Sequence, residues 1–484
     1  MNKLAYLLGI LLILTGCNAV ISENTVTDSS DTEYIFNIDD EDASYNISGA
    51  TYISLSQGDV QIRKAGTYIL EGTLEDGSII VNCSKSDKVQ LVLNNVTISS
   101  GDFAAIYIVE ADKVTITLAE GSVNTLSDSG TYTQIDANDV DALIYSKADL
   151  TINGNGTLNI RTDNAGIKSK DDLIIKGGTY NIEAAGLGIK GKDRLLIADG
   201  TFNISCGKDG LKSDNEEDAY RGYVYISGGD FTITSNGDGI YGYNLVKIEG
   251  GSFNITTSKS SENSSFKGIK SADAVEISGG DFTIDAYDDG IHSDNTVYIS
   301  GGDFTITSSD DGIHGDGKVT IDGGELNITA YEGIESTYVT INDGTIYISA
   351  SDDGINAGQK VAAYTPTVEI NGGYLNIVMG QGDTDGIDSN GSIYINGGTI
   401  EISGQSPFDY DGEAQFNGGT LIVNGEQTDE ISNQTFGGMG GFGGMGHGQR
   451  DESDEDFDGE MMPGDGEHEP PSGDFEDQGG PRQP

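Results

Sequence analysis

Tryptophan is absent from the chain, and cysteine occurs only three times and proline seven times. Without tryptophan there is no broad indole platform for a flat crystalline polysaccharide surface. Three cysteines make no disulfide framework, and Cys83 and Cys206 fall too far apart in sequence to be neighbours in a repeat, so both are expected as buried thiols. Positive charge is scarce too: 25 Lys and Arg stand against 79 Asp and Glu, and only 13 of those acids lie beyond residue 450. A body this acidic is repelled by nucleic acid and by anionic membrane surfaces, which excludes both as direct partners. The long apolar run, Leu4 to Leu14, is too short to span a bilayer.

What the chain has is glycine, 71 residues of it, in a recurring unit that reads Gly-Gly-Asp-Phe-x-Ile and then Asp-Gly-Ile. The second glycine of the pair falls at Gly178, Gly200, Gly229, Gly251, Gly280, Gly302, Gly324, Gly344, Gly373, Gly398 and Gly419. A period near 22 residues means that each unit is one turn of a solenoid, which cannot bury its apolar face until neighbours stack on it. Within Asp230-Phe231-Thr232-Ile233 the alternation sends Phe231 and Ile233 to one side, as it does Phe253/Ile255, Phe282/Ile284, Phe304/Ile306, Leu326/Ile328 and Leu375/Ile377. Such coils, stacked at about 4.8 Å, predict an all-β parallel β-helix over residues 49–425. A propeller would need about 40 residues per blade, and the leucine-rich consensus is missing.

The ends read differently. Lys3, the apolar run and Leu14-Thr15-Gly16-Cys17 make a signal segment, residues 1–17, whose last four residues resemble the lipobox of bacterial lipoproteins. That resemblance implies lipidation at Cys17 and a place on the outer face of the cell membrane, held there by the lipid alone. Residues 18–48 are a polar tether, and residues 426–484 form a disordered tail, Gly/Met-rich and then acidic, in which His447 and His468 are solvated.

The period also aligns acids. Asp209, Asp238, Asp289, Asp311, Asp353, Asp385 and Asp411 precede a glycine at one corner, coil after coil. Asp-Gly is a common turn pair, so each alone is explained by turn formation. Stacked about 5 Å apart, however, two carboxylates repel by about 1 kcal/mol in water and by more when shielded, which calls for counter-ions. Lys168, Lys190, Lys212 and Lys270, two residues after the corner glycine, supply them early. Later that position becomes His292, His314, Glu335, Asn356 and Asp388, and no lysine follows Lys360. A hard cation such as Ca²⁺ suits the resulting cluster of Asp352, Asp353, Asn356, Asp385, Asp388 and Asp411.

These coils and the segment Gly382-Asp383-Thr384-Asp385-Gly386-Ile387-Asp388-Ser389-Asn390-Gly391 resemble a family of bacterial surface proteins that bind carbohydrate on a right-handed parallel β-helix related to polysaccharide lyases. The resemblance covers roughly Tyr68 to Val423. It implies calcium in the fold and binding of pectic acid or a cellulose-like glucan. Asp385 and Asp388 also resemble the primary calcium site of family-nine pectate lyases, with Asp353 as the partner from the previous coil and Thr384 where an Asp is expected.

Three functions follow as expectations. The first is a non-catalytic, monomeric binder of polysaccharide, with Tyr374, Tyr394 and Tyr410 as candidate stacking residues. The second is a calcium-dependent lyase, for which a strong base beside the metal is required; after Lys360 the basic residues, Arg450 first, lie in the tail, so a lyase would use an earlier corner, such as Lys212 or Lys270 beside Asp209, Asp238 and Asp289. The third is a stalk or adhesin in which calcium only braces the coils.

Overall fold

The computed structural model describes residues 43–260, 265–380 and 384–433. Apart from a short 3₁₀ turn at Ile47–Gly49, its regular elements are strands, running from Thr51–Leu55 to Glu426–Thr428. No helix among the described residues is long and apolar enough to cross a membrane.

Three strands make one coil. In the middle of the body these are a three-residue strand such as Ile240–Gly242, a four-residue strand such as Leu245–Ile248 and a six-residue strand such as Ser252–Thr257. Each pairs in parallel with its equivalents one coil before and after: Ile240–Gly242 with Leu211–Ser213 and Ile269–Ser271, and Ser252–Thr257 with Asp230–Ser235 and Asp281–Ala286. The expected parallel β-helix is therefore the fold. Its register is unbroken where it matters: Phe202, Phe231, Phe253, Phe282 and Phe304 stand opposite one another in successive coils.

Period-two alternation explains the core. The six-residue strands alternate exposed and buried, as in Asp230–Ser235 and Asp281–Ala286, and put Phe and Ile inside. The phenylalanines, with Tyr180 beneath them, stack face to face with centroids 4.6 to 4.9 Å apart and ring planes within 4° of parallel. Leu326, Ile346, Leu375 and Ile400 continue the column. Cys83 and Cys206 are free and buried, as expected.

Two glycines per coil are dictated by backbone. The second of each Gly-Gly pair has positive φ, for example 116° at Gly280, and a Cβ there would meet the ring of Phe282 at 3.0 Å. The corner glycine fails differently: a Cβ on Gly290 would lie 2.6 Å from the carbonyl oxygen of Gly312 in the next coil. The last strand departs from the expected boundary. Asn424 and Gly425, both at positive φ, turn the chain back so that Glu426–Thr428 pairs antiparallel with Thr420–Val423. This covers the outer edge of that one strand of the last coil.

Phe253 packs between Phe231 and Phe282, 4.7 Å from each, and is 2% exposed. Phe253→Ala is expected to cost about 3–5 kcal/mol in denaturant-induced unfolding. A loss below about 1 kcal/mol would show that the adjacent rings close over the gap.

Candidate functional site

The parallel register carries one corner up the body. The residue before the corner glycine is, in order, Asp209, Asp238, Lys267, Asp289, Asp311, Glu332, Asp353 and Asp385, linked by backbone bonds from each glycine N–H to the next coil. Several of these aspartates serve the fold with one oxygen. Oδ1 of Asp209, Asp238, Asp289 and Asp353 accepts the backbone N–H of the equivalent residue one coil on, at 2.8 to 3.0 Å. Oδ2 of Asp209, Asp289 and Asp311 instead faces the side chain three residues later.

That later position forms an outward ladder: Lys168, Lys190, Lys212, Tyr241, Lys270, His292, His314, Glu335, Asn356, Asp388 and Asp409 lie in direct register. Lysines neutralise the early coils: Lys168 with Asp141 at 2.6 Å, Lys212 with Asp209 at 2.9 Å, and Lys267, from the corner itself, with Asp288 at 2.8 Å. In the middle the imidazoles of His292 and His314 replace them, stacked 4.7 Å apart. His314 Nδ1 lies 2.6 Å from Asp311 and 2.9 Å from Glu335, while Nε2 lies 3.0 Å from Asp316. Burial disfavours a charged ring, but these three carboxylates outweigh it and hold the His314 pKa well above 6.5. Burial likewise pushes the Glu335 carboxyl up, yet His314 and Lys360 prevail and bring it to about 2. Its neighbour Glu332, half-buried, is pushed up to about 8 by desolvation and then by that charge.

Past Glu335 the positive partners run out. Asp388 stands between Asn356 and Asp409, and its carboxyl is pushed up to about 7 by burial and then by the charges of Asp385, Asp409 and Asp411. Asp353, one coil before, also rises to about 7 through burial and then the charges of Asp388, Asp352 and Asp385. Asp385 accepts a hydrogen bond from the Ser406 hydroxyl. Beside it the Thr384 hydroxyl is buried with no hydrogen-bond partner among the described residues.

A sequence family described as carbohydrate-binding domain-containing protein matches residues 56–312 and 301–430. The chain belongs to that family. A carbohydrate-binding domain-containing protein from Acetivibrio thermocellus is 39% identical over 172 residues, which cover 34% of this chain and 59% of the relative. The chain thus spans less than two thirds of that family member. A solved polysaccharide lyase-like protein from C. thermocellum, a gadolinium derivative, is 34% identical, with 47% of this chain and 96% of that one covered and a TM-score of 0.43.

Of the site residues expected in this chain, the fold brings Asp353, Asp385 and Asp388 into adjacent coils. Asp352 instead groups with Glu332 and Asp353, one oxygen of each within 4.8 Å of the others. Asn356 turns back, its amide donating to Glu332 at 3.0 Å and Glu335 at 3.4 Å. Asp411 is not a corner residue: Asp385 pairs with Ser406 and Ile387 with Phe408, so Pro407 occupies the glycine position and Asp411 lies beyond it, exposed. The reading from Asp-Gly spacing failed there because proline closes the last coil.

The three tyrosines lie apart. Tyr374 is on the six-residue face, edge-on to Tyr347, and Tyr394 is in the four-residue row beside Glu369. Tyr410 packs against the core and donates to the Ile431 carbonyl. Cys17 lies outside the described residues. The sequence reading passed over Asp289, His292, Asp311, His314 and Glu335 as a group, though two histidines at consecutive repeats of one position were its signal. The donor atoms of Asp289, His292 and His314, of Asp311, His314 and Glu335, and of Glu332, Asp352 and Asp353 lie close enough together to hold a metal ion.

The raised carboxyls fix a pH dependence. The folded protein keeps protons on Asp353 and Asp388 that the unfolded chain releases from 3.8 upward, so their contribution falls as pH climbs to about 7. His314 adds to the same trend: its stabilisation is complete below 6.5 and is lost as pH rises through its higher folded value. In chelator, the melting temperature is expected to fall between about pH 5 and about pH 8, with a shallower slope for Asp388→Asn. Equal slopes would remove Asp388 from the account.

Proposed function

We propose that this chain is a non-catalytic, lipid-anchored surface protein that binds acidic plant-type polysaccharide, such as pectic acid, through Ca²⁺ held at the C-terminal corner. The observation that carries this reading is the run of Asp353, Asp385, Asp388 and Asp409 over successive coils, in a stretch with no lysine or arginine between Lys360 and Arg450. Two of those carboxyls, Asp353 and Asp388, are pushed up to about 7 by burial and then by the charges of neighbouring aspartates. The donor set fits a hard cation: carboxylate oxygens, and the buried Thr384 hydroxyl without a partner among the described residues. Asp353, Asp385 and Asp388 would hold the ion. When bound, it supplies positive charge that an acidic polymer can share with an acidic protein.

The membership in a carbohydrate-binding family supports the polymer as ligand. Against a lyase stands the state of the lysines. A base must give up its proton near neutral pH, yet Lys212, Lys267 and Lys360 are each held above the ordinary lysine value, burial being overcome by Asp209, Asp289 and Glu335 respectively. Burial lowers Lys170 and Lys190. Lys190, the nearer in register, is eight coil steps from Asp388, about 38 Å at the parallel-strand spacing.

Polygalacturonate co-sedimentation with the full chain is expected to require Ca²⁺, to vanish in chelator and to drop at least about tenfold in Asp385→Asn and Asp388→Asn, the loss of about 1.4 kcal/mol or more. The ultraviolet absorbance of unsaturated product is expected to stay flat. Its appearance would establish a lyase, and calcium-independent binding would detach the polymer from this corner.

A further inference from the structure

The middle of the ladder gathers a different set of donors from the C-terminal corner. Asp289, His292, Asp311, His314 and Glu335 are all buried, with side chains between 5% and 10% exposed. One donor atom each of Asp289, His292 and His314 lies within 4.8 Å of the others, and the same holds for Asp311, His314 and Glu335.

The far side of most of these groups is already committed. Asp289 Oδ1 accepts the Asp311 backbone N–H at 3.0 Å, and Lys360 holds Glu335 Oε1 at 2.6 Å. His292 Nε2 is 2.9 Å from Asp294, and His314 Nε2 is 3.0 Å from Asp316. A carboxylate on Nε2 fixes the ring and makes that nitrogen the donor, which is how metal-ligating imidazoles are oriented. What remains pointing inward is Nδ1 of both rings and Oδ2 or Oε2 of the three acids.

Each Nδ1 faces carboxylate oxygen, so a hydrogen or a cation must stand between them. With Nε2 as donor, a neutral ring would set its Nδ1 lone pair against carboxylate oxygens at 2.6 to 2.9 Å. A proton on His314 Nδ1 can be given fully to only one of its two neighbours, Asp311 and Glu335. A dication would serve both rings and their carboxylates together. Lys267 keeps its own partners, Asp288 and Asp289, beside such an ion.

We propose that Asp289, His292, Asp311, His314 and Glu335 form a second metal site, selective for a borderline divalent transition ion such as Zn²⁺ or Co²⁺ over Ca²⁺. Imidazole nitrogen is a poor ligand for calcium and a good one for these ions. Any Nδ1 proton present is released to solvent as the metal–nitrogen bond forms.

Co²⁺ is the probe, added to the full chain after chelator treatment, in the presence of excess Ca²⁺ and with His447→Ala and His468→Ala in the background. One equivalent is expected to bind with visible ligand-field bands and with proton release, more tightly as pH rises. His314→Ala and His292→Ala are expected to lose the bands, and Asp388→Asn to keep them. Circular dichroism checks that the variants fold, and His292→Gln and His314→Gln stand in should an alanine variant fail to. Absence of ligand-field bands in the parent chain, displacement by Ca²⁺, or bands that survive loss of both histidines would each overturn the site. Loss of the bands in Asp388→Asn would mean that the ion sits at the C-terminal corner instead. Polygalacturonate binding is independent of this outcome, so the two readings fail separately.

Discussion

Every position in a parallel β-helix is repeated against itself at about one strand spacing, and that constraint governs the rest of this molecule. A residue is tolerated only if a column of its like, or an alternation with a complementary residue, is stable. Inside, the constraint is easily met. Phenyl rings 4.6 to 4.9 Å apart fill a column with no gap and no strain, and isoleucine does the same beside them. Outside, neutral amides manage it too: Asn342, Asn371, Asn396 and Asn417 bond each to the one before at 2.8 Å. Each amide carries both a donor and an acceptor, so such a ladder extends without limit.

Carboxylates cannot. They accept and do not donate when ionised, and their repulsion grows with burial. At this corner the chain manages them in three regimes along the stack. Lysines come first, then imidazoles, and finally Asn356, Asp388 and Asp409, which bring no positive charge. Backbone donors soften the conflict throughout, because one oxygen of several corner aspartates takes the next coil's N–H. That bond explains an acid at the corner as structure. It leaves the second oxygen, and the outward ladder, for chemistry.

The solenoid and its inward face were legible in the sequence because one constraint, the period, acts on every coil. Phe231, Phe253, Phe282 and Phe304 needed only alternation and spacing to be placed, and the glycines at positive φ marked each turn. The site was legible in part. Asp353, Asp385 and Asp388 follow from the repeat, since register alone brings them near one another. Asp411 was misplaced because the last coil substitutes Ser406-Pro407-Phe408 for Asp-Gly-Ile, which spacing from the previous corner cannot distinguish from a shifted Asp-Gly. Asn356 was in the right column, but which neighbour its amide chooses depends on Glu332 and Glu335 in the coil before. The tyrosines were chosen for an outward strand position, Tyr394, or for nearness to the corner, Tyr374 and Tyr410, and neither criterion says which of three faces a residue occupies.

The same gradient decides which end of the ladder suits which ligand. A polymer that carries negative charge is repelled along most of this surface, and lysines already paired to Asp141, Asp209 or Asp288 have little charge to offer it. A cation can reverse that only where the protein has acids in excess of its own positive groups. The excess is greatest past Lys360, where Asp353 and Asp388 retain protons near neutral pH that a stronger positive charge would displace. On the proposed reading, proton and metal would compete for the same oxygens, and an acidic medium would loosen the polymer by protonating the protein before the polymer's own carboxylates, which lie in the ordinary range. With calcium bound as proposed, the corner would hold an acidic chain at neutral pH and release it as pH falls.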